Sequence, residues 1–132
     1  MCRALMILPL VLALAACIDR PKTPSGAGDY ADFCAGCHGA SGKGDGLAAG
    51  GLRAKPADLT RLSAKNGGKF PGTRVMAKIW GYTGNQDDHA VMPEFAALLD
   101  SDLVPFDGGD GIATPTPLRL VQLAEYLETL QN

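Results

Sequence analysis

The chain has 132 residues and a formal net charge of −2. That length supports one domain, and a chain with no basic excess is not built to hold nucleic acid. Cysteine is the informative residue class: Cys2 and Cys17 fall in an apolar N-terminal segment, whereas Cys34 and Cys37 form a close pair.

The N-terminal segment reads as a secretion signal. Arg3 supplies the positive start, and Ala4 to Ala16 is an apolar run interrupted only by Pro9. The run falls short of the about 20 residues a spanning helix needs. Leu14-Ala15-Ala16-Cys17 is similar to the bacterial lipobox, in which the cysteine becomes the acylated first residue of the mature protein. The competing reading is cleavage after Ala15, which leaves Cys17 as a free thiol in an oxidising compartment. Acyl chains on Cys17 would anchor the protein to a membrane without crossing it. The expected organisation is a signal peptide at 1–16, a lipid-attached tether at 17–27, rich in proline, and a folded domain at 28–132.

Within the domain, Gly28 to His38 is expected as the first helix. Asp29 and Asp32 suit its N-terminus, and Tyr30, Phe33, Cys34 and Cys37 form one apolar face. Gly39 to Pro56 is a glycine-rich loop. It is no phosphate-binding loop, because it lacks the preceding strand and the Gly-Lys-Ser/Thr ending. Asp58 is placed to cap a short helix carrying Leu59 and Leu62 and closed by Gly67-Gly68. Thr73 is placed to cap another, with Val75, Met76, Ile79 and Trp80 on one face and Gly81 beyond its end. Tyr82 to His89 is a polar loop leading to Val91-Met92-Pro93-Glu94-Phe95. Asp100 to Pro115 reads as a long solvated connection, since its Asp107-Gly-Gly-Asp110-Gly run does not have calcium-loop spacing. Thr116 and Pro117 open a last helix, Leu118 to Leu130, with Leu120, Leu123, Leu127 and Leu130 on one stripe.

The chemistry concentrates in Cys34-Ala35-Gly36-Cys37-His38. This pattern reads as a c-type haem attachment site. Residues three and four apart share a helix face, so the two thiols can reach the two vinyl groups of one porphyrin, with His38 placed to ligate the iron. A zinc site would need about four protein ligands, and no second pair is present. A redox dithiol belongs in a βαβ pattern, which is absent.

The run from Tyr30 to Gly46, the later Met92-Pro93 step and the closing amphipathic helix together resemble class I monohaem c-type cytochromes. The resemblance covers Gly26 to Asn132. It implies an all-α small cytochrome c fold, with several short helices around one covalent haem c and the N- and C-terminal helices packed together. Gly26, Tyr30 and Tyr126 match the positions of that helix crossing. The resemblance further implies Met92 as the sixth iron ligand, a soft thioether that raises the potential. Met76 and His89 are rivals, Met76 reading as core and His89 as a surface or second-shell residue. It also implies that a proline carbonyl accepts the second ring N–H of His38, and Pro56 is the matching residue; a plain turn proline is the alternative. Trp80 is either core or a contact to the haem edge or a propionate.

An iron held by His38 and Met92 has no open position. The expected function is therefore one-electron transfer rather than catalysis, by a carrier anchored on the periplasmic side of a bacterial cell envelope, with redox proteins as partners and no nucleic acid. A haem enzyme with an open site, or a cytochrome subunit fixed in a membrane respiratory complex, are the alternatives. Charge is segregated along the chain. Arg53, Lys55, Arg61, Lys65, Lys69, Arg74 and Lys78 face one acid, Asp58, whereas from Ile79 onward nine acids accompany Arg119 alone. Such a distribution is either a solvated surface or a basic side that steers onto an acidic partner.

Overall fold

A computed structural model describes residues 23–82 and 92–132. The signal segment, Cys17 and His89 lie outside the described residues. Helix α1 (Gly26–Asp29), a π-helical turn (Tyr30–Cys34) and helix α2 (Ala35–His38) run end to end. The Ser25 hydroxyl accepts the Gly28 N–H at 3.1 Å and caps the start. The helix thus begins at Gly26, two residues inside the stretch expected as tether. Its start is the site of a close crossing: a Cβ on Gly26 would lie 1.9 Å from the carbonyl oxygen of Gln122 in helix α4 (Leu118–Thr129). One helical turn along each helix, the Tyr30 and Tyr126 rings meet at 5.3 Å between centroids, tilted by 50°. The expected packing of the terminal helices is therefore what the structure contains.

One polar bond braces the first helix beside this crossing and an ion pair fastens the crossing itself. The Tyr30 hydroxyl donates to the Gly39 carbonyl at 2.6 Å, and burial pushes its pKa up to about 12. Asp29, only 3% exposed, receives both ends of the Arg119 guanidinium, Nε to Oδ2 at 3.1 Å and Nη2 to Oδ1. The hydrogen bond to Asp29 raises the Arg119 pKa. A buried carboxylate without such a partner would cost several kcal/mol.

Helix α3 (Gly72–Trp80) buries Met76 and Ile79 against α4 and ends at Gly81, whose φ of 100° is a left-handed cap. Thr73 does not cap α3; Pro71 occupies that position, and the Thr73 hydroxyl donates to the Gly108 carbonyl at 3.2 Å. Asp58 does cap as expected, accepting the Thr60 N–H at the head of a 3-10 turn, Leu59–Arg61. Leu99, Leu120, Leu123, Ala124 and Leu127 complete the core around Tyr30, Met76 and Ile79.

The expectation of a loop from Asp100 to Pro115 is corrected by an antiparallel hairpin, β1 (Leu103–Asp107) and β2 (Ala113–Pro117). The all-α description holds for the helices and not for this hairpin. Three prolines argue against strands, but their register explains how they are tolerated. Pro105 faces Pro115, and Leu103 faces Pro117. Ladder bonds run through the alternate pairs, Val104 with Thr116 and Phe106 with Thr114, so the prolines remove only N–H groups that would point to the open edges. The edges are thereby blunted against pairing with other strands. The Asp107 carboxylate closes the turn by accepting the N–H groups of Gly109, Asp110 and Gly111 at 2.8, 3.1 and 3.0 Å. The bond from Gly109 leads in holding its pKa below the usual carboxylate range.

Candidate functional site

The π-helical turn ends at Cys34, with the Ala35 N–H reaching back to the Tyr30 carbonyl. Such turns concentrate at functional sites. Cys34 is buried and Cys37 half-buried, and neither is in a disulfide. Burial leads, ahead of the Asp29 charge and Cys37, in pushing the Cys34 thiol up to about 11.

His38 is the last residue of α2, and the glycine-rich loop folds back over this helix end. The Gly44, Gly46 and Ala48 N–H groups donate to the carbonyls of His38, Cys37 and Gly36 at 2.8, 3.1 and 2.9 Å. These bonds satisfy the orphan acceptors of a helix C-terminus. Such close approach needs glycine: a Cβ on Gly46 would lie 2.3 Å from the Gly36 carbonyl oxygen.

The His38 Nδ1 lies 2.9 Å from the carbonyl oxygen of Ala57. A carbonyl only accepts, so Nδ1 carries the proton and Nε2 is the nitrogen left free for a metal. This corrects the expectation for Pro56 by one residue. The Pro56 carbonyl is turned instead onto the loop, where a Cβ on Gly44 would stand 2.2 Å from it. The Pro56 residue still contributes to the wall of the cavity that His38 enters.

That cavity measures about 630 Å³, within the range of small-molecule and cofactor sites. Phe33, Leu59, Val75, Ile79, Phe95 and Leu127 form apolar walls, drawn from the first helix, α3, α4 and the intervening segments. Cys34, Cys37, His38 and Met92 all line it, so the attachment motif and the distant Met-Pro step share one space. Met76 is 6% exposed in the core and is not among the lining residues. Trp80 does not line the cavity either; it is half-buried, with its ring 6.4 Å from that of Tyr82. Trp80 packs against the core cluster.

Sequence reasoning missed two features of the site. One is the Ala57 carbonyl, for which a side chain carries no signal. The other is which of the bases between Arg53 and Lys78 stand at the site: Lys55, Arg74 and Lys78 line the cavity, and among the described residues its walls carry no acid. Arg74 and Lys78 stand one turn apart on α3, flanking Val75 and Ile79, and helical spacing alone would have put them at the border of that apolar face. The residues present fit a haem. The walls are apolar enough for a macrocycle, two thiols are available for attachment, an imidazole and a thioether for the iron, and three cations for its carboxylates.

Comparison with known proteins agrees. A family model described as Cytochrome c matches residues 25–104. No curated protein and no solved structure matches the chain. The match spans more than half of the chain, and helix α4 beyond it supplies the packing partner of the first helix. The chain is a member of the cytochrome c family and carries covalently attached haem c.

Proposed function

We propose that this cytochrome is a one-electron carrier whose haem is held by thioethers at Cys34 and Cys37 and ligated by His38 and Met92. The observation that carries the reading is the convergence of these four side chains on one apolar cavity. Bound haem supplies an iron that changes valence by one electron. The chain's own residues do the rest. The Ala57 carbonyl fixes the His38 ring and raises its basicity. Phe33, Ile79, Phe95 and Leu127 exclude water, so that little solvent has to reorganise when the charge changes. With imidazole and thioether both bound, no position is open to oxygen or peroxide. Met92→Ala is the test: it should abolish the weak near-infrared band of thioether-bound iron(III) and lower the reduction potential. An unchanged spectrum, with the loss found in His89→Ala, would assign two histidines instead.

The protein works, in this reading, on the periplasmic side of a bacterial envelope. The support is the apolar N-terminal run and Leu14-Ala15-Ala16-Cys17. No described helix is long and apolar enough to cross a membrane; the reading places attachment at an acylated Cys17. Cys17→Ser should move the protein from membrane to soluble fractions and end labelling by a fatty-acid probe; persistent labelling would reject the site.

Lys55, Arg74 and Lys78 at the cavity, with Arg53, Arg61, Lys65 and Lys69 exposed on the same stretch of chain, favour an acidic redox partner. Surface charges are screened over about 8 Å at physiological salt. The electron-transfer rate with an acidic partner should therefore fall as salt rises. Replacing Lys65 and Lys69 together by Gln, with the cavity cations kept, should slow association and flatten that dependence while leaving the visible spectrum alone. A salt-independent rate in the parent protein would reduce these bases to a solvated surface.

A further inference from the structure

We propose that Arg119 is a positioning residue for Met92, holding the strap that presents this thioether to the cavity. The inference rests on the reading of Met92 as an iron ligand. The strap runs from Met92 to Leu99. Its middle is fixed by the Phe95 N–H, which donates to the Ile79 carbonyl at 3.0 Å, and its end by Leu99, which is fully buried. Between these points the Leu98 carbonyl accepts Nη1 of Arg119 at 2.7 Å. The same guanidinium holds Asp29 through Nε and Nη2, and it lies over the Phe33 ring, a wall of the cavity, at 5.9 Å. One side chain thus ties the strap to the first helix and to α4.

The placement is not one that helix physics favours. Arg119 is the second residue of α4, where the helix dipole repels a cation. Asp29 offsets this, and the planar fork of donors then has one arm left for the strap. The stretch just beyond is stitched to the same helix start: the Arg119 N–H donates to the Ser101 hydroxyl at 3.1 Å and the Leu118 N–H to the Asp102 carbonyl at 2.9 Å. A lysine at 119 keeps the charge beside Asp29 but cannot serve three acceptors from one ammonium in this geometry. With the Leu98 carbonyl released, the strap opens more often, and an added ligand competes for the iron in proportion to the open fraction.

The test is an imidazole titration of the haem-loaded, oxidised full chain, followed by loss of the near-infrared thioether band. Arg119→Lys should bind imidazole about tenfold more tightly than the parent, the scale of one lost hydrogen bond from a charged donor. Asp29→Asn loosens the ion pair and leaves the Leu98 bond. It should lower the denaturation midpoint while changing imidazole affinity by no more than about twofold. Ser101→Ala cuts a neighbouring tie without touching the pair and should shift imidazole affinity in the same direction as Arg119→Lys. Parental imidazole affinity in Arg119→Lys overturns the proposal. So does a shift that follows the denaturation midpoint equally in Arg119→Lys and Asp29→Asn. If Arg119→Lys fails to load haem, parental affinity in Ser101→Ala overturns it. The parental band surviving in Met92→Ala is a separate result, which rejects the ligand assignment itself.

Discussion

Replacing Cys34 and Cys37 together by Ser will leave a polypeptide that holds no acid-stable haem and does not unfold cooperatively. The first half follows from chemistry, because serine hydroxyls do not add to the porphyrin vinyl groups as thiols do. The second follows from the size of the space left behind. The space is about 630 Å³ with apolar walls, and without haem those walls lose their packing partner and stand open to water. A domain of this kind has a total stability of only about 5–15 kcal/mol to lose. The walls are contributed by the first helix, α3 and α4, so they cannot collapse inward without parting the Tyr30–Tyr126 contact. Folding and cofactor attachment should therefore be coupled, as in metal-dependent small domains. Acid–acetone extraction should leave haem on the parent chain and none on the double variant. Thermal melting of the variant, followed by far- and near-ultraviolet circular dichroism, should lack a sigmoidal transition. A variant that melts cooperatively near the parental temperature would show that the apolar walls close by themselves.

The contrast between what could and could not be read beforehand lies in how local each signal is. The candidate attachment motif was legible because its chemistry needs five consecutive residues, Cys34 to His38, and the spacing leaves few other uses for them. The helix crossing was legible from Gly26, Tyr30 and Tyr126 through the family resemblance, and the leucine stripe of α4 from its period. The acceptor for His38 was not. A backbone carbonyl has no side-chain signature, and whether residue 56 or 57 supplies it depends on how Gly44 packs against the Pro56 carbonyl. The π-helical turn before Cys34 was hidden for a similar reason, since one extra residue in a turn leaves the composition unchanged. The hairpin was hidden by its prolines, which read as strand breakers until the register sets them against each other. Asp29 and Arg119 were each visible as charges, but partners 90 residues apart become partners only once the first helix and α4 have crossed.

Gly26→Val should destabilise the haem-loaded protein by about 3 kcal/mol or more, toward the upper end of what overpacking costs. A Cβ at this position would lie 1.9 Å from the Gln122 carbonyl oxygen and 2.5 Å from its carbon. Both are backbone atoms inside α4, so no rotamer change relieves the overlap and the helices must move apart. The movement would be felt where the crossing is tightest. Tyr30 and Leu123 are 2% and 1% exposed, and the Asp29–Arg119 pair spans the same interface; breaking a buried pair by withdrawing one partner costs about 3–5 kcal/mol by itself. Gly50 is the matched control, because a Cβ there meets nothing within 4 Å; Gly50→Ala should stay within about 0.5 kcal/mol of the parent. Guanidinium denaturation of the three proteins, read by both helical and haem-region circular dichroism, checks the difference. Separation of the helices also draws Leu127 and Phe33 away from the cavity they line, so the haem-region signal should weaken before the helical one in Gly26→Val. If Gly26→Val and Gly50→Ala cost the same, the first and last helices do not meet backbone to backbone at this point.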